Sequence, residues 1–83
     1  MESPVRVLYC HKVRDTRQAE CLASVDFELN EHIRLYGLRL LRKPDGKFFL
    51  YAPQAGQRRT ATFSEAMAKR LTDLAVAAYE AAL

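Results

Sequence analysis

The chain has 83 residues, 49% of them hydrophobic and 28% charged, with 13 lysines and arginines against 10 aspartates and glutamates for a net charge of +3. That length makes one domain spanning 1–83, and the apolar share is too high for a disordered chain. Two cysteines do not make a disulfide scaffold, no apolar run approaches the roughly 18 residues of a membrane helix, and MESPVRV lacks the basic start and apolar core of a secretory signal, so the expectation is a cytoplasmic domain without membrane contact.

Residues 5–12 (VRVLYCHK) place Val5, Val7 and Tyr9 in alternation, which predicts a first strand. The polar 13–19 segment reads as a connection. In 22–29 (LASVDFEL), Ala23, Val25, Phe27 and Leu29 alternate with Ser24, Asp26 and Glu28, the pattern of a strand with one buried and one wet face. Asn30 and Glu31 make a turn. A third strand starts near His32, and its phase slips: Ile33 and Leu35 share a face, then Leu38 and Leu40 do, opposed by Arg39. Strand faces alternate with period two, so one extra residue must be absorbed, and Gly37 is the natural place for a bulge.

K-P-D-G-K (43–47) predicts a hairpin turn: proline presets φ, and Asp-Gly tolerates the left-handed conformation that closes the loop. The fourth strand, 47–52, carries the unbroken apolar run Phe48, Phe49, Leu50 and Tyr51. Such a run predicts burial on both faces, more than one helix in a chain this short can cover. These four residues are therefore the candidate contact of a homodimer. Pro53 ends the strand. A polar basic loop follows over 54–62, with a short edge strand expected near Arg59–Thr62. Ser64 suits a helix N-cap, and Glu65 complements the helix terminus. Met67, Leu71, Leu74, Ala75, Ala78 and Ala82 then recur at spacings of three and four, which predicts a helix over 65–83 with one apolar stripe. The fold class is α+β: a small antiparallel meander of four to five strands followed by a C-terminal helix.

The charge is unevenly placed. Residues 1–38 sum to −1, residues 71–83 to −2, and residues 39–70 to +6, with Arg39, Arg42, Lys43, Lys47, Arg58, Arg59, Lys69 and Arg70 against Asp45 and Glu65. A concentrated cationic segment suits an anionic partner, nucleic acid foremost; a solvated, solubilising surface is the plainer reading. Arginines in a loop and near a helix start suit phosphates, and the helix terminus adds its dipole. Arg42, Lys43 and Lys47 ring the hairpin tip, and Arg58, Arg59, Lys69 and Arg70 complete the candidate set. Tyr36, Tyr51 or Phe49 could stack on exposed bases. No recognition helix is discernible.

Other chemistry finds little support. Cys10, His11, Cys21 and His32 lack the paired spacing of a zinc site, and Cys10 and His11, as strand neighbours, point to opposite faces. No nucleophile elbow or phosphate-binding glycine loop is present, and Asp26 with Glu28 reads as the wet face of a strand. The expectation is a non-enzyme with no metal, cofactor or small-molecule substrate.

The order LASVDFEL, GLRLL, KPDGK, FFLYAP, then a basic segment and a helix ending near Tyr79-Glu80, resembles the SpoVG family (stage V sporulation protein G, a septation regulator) over about residues 4–82. The resemblance implies a small antiparallel sheet with a C-terminal helix, a homodimer formed through strands, and a bacterial regulator that binds nucleic acid. The basic run of that family directly follows the strand-closing proline. Here Gln54-Ala55-Gly56-Gln57 intervenes before Arg58-Arg59. The alternative from another class is a protein–protein adaptor or structural dimer whose charges serve solubility or an acidic partner. DNA and RNA are equally compatible with the residues.

Overall fold

The computed structural model describes residues 5–13 and 21–81. In chain order these form β1 (Arg6–Lys12), β2 (Cys21–Glu28), β3 (Arg34–Arg42), β4 (Phe48–Tyr51), β5 (Gln54–Ala55), β6 (Arg58–Arg59) and α1 (Glu65–Ala81). The first four strands make one antiparallel sheet in the order β1-β2-β3-β4, and β5 pairs with β6 in a separate two-stranded hairpin. One helix follows, so the chain is α+β. Most of the predicted connection after β1, and the last two residues of the predicted helix, lie outside the described residues.

The alternation in β2 is what locates the core. Cys21, Ala23, Val25 and Phe27 are buried while the residues between them are half-exposed. Ala23, Val25 and Phe27 meet Leu38 and Leu40 of β3 and Leu71 and Ala75 of α1 in one apolar cluster. The helix therefore covers a single face of the sheet. Of the predicted helical stripe, Met67 and Leu74 also pack against this cluster, and Val76 and Tyr79 join them. Ser64 caps the helix: the Met67 amide donates to its Oγ at 3.2 Å, and the Ala68 amide donates to its carbonyl at 2.8 Å.

The phase slip in β3 is a bulge at the expected place. Leu35 stands opposite Phe27 and Leu38 opposite Val25, so Tyr36 and Gly37 together oppose Asp26. Gly37 has φ of 72°, and its amide donates to Asp26 Oδ1 at 2.8 Å. The slip brings Leu35 and Leu38 to the helix side and leaves Arg39 outside. The 43–47 turn also forms as the residues suggest. The Gly46 amide donates to the Lys43 carbonyl, the Lys47 amide to Asp45 Oδ1, and Gly46 takes φ of 90°.

Two expectations are corrected. Tyr9 does not share the inward face of Val5 and Val7. A register irregularity in the β1–β2 pair, between Val7 and Tyr9, shifts the faces, so Cys10 packs against the core and Tyr9 is 64% exposed. The short edge strand expected near 59–62 is instead Arg58–Arg59, paired with Gln54–Ala55 across a turn at Gly56, whose φ is 66°. Glycine at that turn and pairing with the residues after Pro53 start the strand one residue earlier and end it three residues earlier.

Candidate nucleic-acid interface

The candidate cations fall into three groups. Arg42, Lys43 and Lys47 flank the β3–β4 turn. Arg58 and Arg59 form β6, beyond the other end of β4. Lys69 and Arg70 lie in the second turn of α1. β4, four residues and roughly 13 Å long, separates the first two groups along the chain. Arg42, Lys43, Lys47, Arg58 and Arg59 are all exposed, and among the described residues none of them has a carboxylate within ion-pair distance. Two are aimed by aromatic rings: the Lys43 ammonium sits 3.7 Å from the Phe49 ring centroid, and the Arg42 guanidinium 5.1 Å from that of Phe48. Lys69 differs, with Asp73 one helical turn on at 3.9 Å, and Arg70 is half-buried.

The candidate dimer residues divide between two faces. Phe48 and Leu50 pack against the core under the helix, while Phe49 and Tyr51 point away. Among the described residues only one face of β4 is covered. β4 is also the last strand of its sheet, so one edge of its backbone has no strand beside it among the described residues. Between β4 and α1 runs an open groove of about 580 Å³, lined by Phe48, Phe49 and Val76 and rimmed by Lys47, Lys69 and Glu80. Its rim carries both signs, so it does not select an anion.

The face away from the helix is ordered in rows across the strands. In one row His11, Ser24, Arg39 and Tyr51 are direct cross-strand neighbours, one from each strand of the sheet. His11 stacks on Tyr9 with ring centroids 5.7 Å apart, and Tyr51 on Phe49 at 6.3 Å. In a second row Tyr9 opposes Asp26, whose carboxylate holds the Gly37 amide beside the exposed Tyr36. In a third, Glu28 stands between Arg6 and Arg34. Arg6 Nε donates to it at 2.6 Å and Arg34 Nε at 3.3 Å. The Arg6 hydrogen bond, with Arg34 adding to it, holds the Glu28 carboxyl below its ordinary value of 4.5, against the smaller opposing effect of burial.

This face was only partly foreseeable. Tyr36, Phe49 and Tyr51 stand out in the sequence as aromatic residues in or beside strands, but Tyr9, His11 and Arg39 join them only through register. Cys10 and His11 do project oppositely, Cys10 inward and His11 outward. Burial pushes the Cys10 thiol above its ordinary value of 9.0, which keeps it protonated and poorly nucleophilic at neutral pH. Among the described residues no three His, Cys, Asp or Glu side chains gather as a metal site, and no helix is long and apolar enough to cross a membrane. Comparison of the chain with protein-family models, with curated proteins and with solved structures finds no match.

Proposed function

We propose that the protein is a small homodimeric nucleic-acid-binding regulator, of the kind its resemblance to the SpoVG family implies, acting in the bacterial cytoplasm without catalysis. The observation that carries this reading is the set of five exposed cations, Arg42, Lys43 and Lys47 around the β3–β4 turn and Arg58 and Arg59 in β6, with no carboxylate partner among the described residues. Cations not neutralised by a carboxylate remain available to phosphates and release condensed counterions when they engage them. Lys69 and Arg70 contribute less, since Asp73 already offsets Lys69. The edge of β4, unpaired among the described residues, supports strand pairing with a second copy.

The test is a fluorescence titration with DNA and RNA across a salt series. If all five cations engage a duplex, log K falls against log salt with a slope of about −4 to −5, and Arg58→Glu with Arg59→Glu reduces that slope by about 2. Light scattering at micromolar concentration should report a dimer. Absence of binding at low salt, or binding indifferent to the double reversal, refutes the reading. Retention of a specific protein partner without nucleic-acid affinity would favour an adaptor instead.

A further inference from the structure

We infer that the uncovered face of the sheet is a stacking platform for unpaired bases, so that the protein takes single-stranded nucleic acid in preference to duplex. This inference rests on the nucleic-acid reading above and names the form of ligand. Three of the four tyrosines in the chain lie exposed on one side: Tyr9 at 64%, Tyr36 at 62% and Tyr51 at 46%. Exposed aromatic rings in such number on a small domain are costly to leave in water and mark a contact surface. They are arranged rather than scattered. The Tyr9–His11 stack occupies one outer strand and the Phe49–Tyr51 stack the other. Between them lie Ser24, too small to obstruct, and Arg39. Three strand spacings set the stacks about 14 Å apart.

The electrostatics favour a polyanion over an apolar partner. The two carboxylates of this face are already occupied: Asp26 by the Gly37 amide, and Glu28 by Arg6 and Arg34. Arg39, in the central row, has no carboxylate within ion-pair distance among the described residues. It is placed to meet a phosphate or to stack while bases lie on the rings to either side. The three rows of this face lie on the four-stranded sheet itself, a surface too broad to enter the major groove of a duplex. Bases already stacked in a duplex cannot present their faces to the rings. A single strand can, and each base–ring stack adds affinity whatever the sequence. The cations of the β3–β4 turn would then track the backbone of the same strand.

The chain contains no tryptophan, and three of its four tyrosines lie on this face, so tyrosine emission is dominated by it. The experiment titrates the full chain with a labelled oligothymidylate of about 12 nucleotides, within the usual range of site sizes, with the matching oligouridylate, and with a duplex of equal length. The expected result is tighter binding of the single strands and quenching of tyrosine emission. Tyr36→Ala and Tyr51→Ala should each weaken single-strand binding roughly five- to hundredfold and leave duplex binding unchanged, and Tyr51→Phe should retain affinity because the ring remains. Far-UV circular dichroism on each variant separates loss of a contact from loss of fold. Equal affinity for duplex and single strand, insensitive to the tyrosines yet abolished by Arg58→Glu with Arg59→Glu, overturns the stacking platform and leaves the nucleic-acid reading standing. Failure of every oligonucleotide to bind at low salt overturns both. Tyrosine variants that dissociate a dimer without altering affinity per chain would assign this face to a second copy of the protein and likewise overturn the platform.

Discussion

Gly37→Ala isolates the backbone cost of the bulge that aims the outer face. Gly37 holds φ of 72°, a left-handed conformation that costs a residue bearing a Cβ about 1–2 kcal/mol. A Cβ built there meets no heavy atom within 4 Å, so the cost contains no steric clash. The destabilisation should therefore be about 1 kcal/mol and should not approach the cost of overpacking a core. With a urea m-value of about 1 kcal/mol/M for a chain this small, the unfolding midpoint should fall by about 1 M with m unchanged. Gly37→Asn should cost less, because asparagine tolerates the left-handed region. Asp26→Ala removes the acceptor of the Gly37 amide, bonded at 2.8 Å in a half-buried setting, and should cost about 1–3 kcal/mol. The assay is urea unfolding followed by far-UV circular dichroism at one fixed protein concentration, which keeps any subunit equilibrium constant. A Gly37→Ala variant as stable as the parent, or one no better than Gly37→Val, would refute the reasoning. Either result would mean that Gly37 does not hold a left-handed bulge between Leu35 and Leu38.

Phe27 is fully buried at the centre of the apolar cluster, and Phe27→Ala should cost about 3–5 kcal/mol. That is comparable with the whole stability of a small domain, so the variant should be largely unfolded at room temperature by circular dichroism. The folded-state pKa of Glu28 is depressed by its arginines, so its contribution to stability is complete above the ordinary value of 4.5 and is lost as pH falls through the lower folded value. The urea midpoint should fall as pH is taken below 4.5, and Glu28→Gln should flatten that dependence; an unchanged slope in the variant would exclude Glu28 as its source.

The residues alone determine those features whose physical cause is local. The period-two pattern of Ala23, Val25 and Phe27 requires a strand with one buried face. Pro44 with Asp45-Gly46 requires the turn. The displaced phase of Leu35 and Leu38 requires an inserted residue, and Gly37 is the only glycine available in β3 to absorb it. The spacing of Leu71 and Ala75 in an uninterrupted segment requires a helix with one apolar stripe. Register and face are different, because they depend on a partner distant in the chain. The apolar series Val5, Val7, Tyr9 reads inward throughout. Only pairing with β2 introduces the shift that buries Cys10 and turns Tyr9 and His11 to the outside. The run Phe48–Tyr51 has no polar phase from which to choose a side, so the choice waited on the helix, which takes Phe48 and Leu50 and leaves Phe49 and Tyr51. The row of His11, Ser24, Arg39 and Tyr51 joins residues from four strands. Its members are separated in sequence by up to forty positions and in space by one strand spacing each, because hydrogen-bonded pairing, not sequence proximity, sets distance within a sheet.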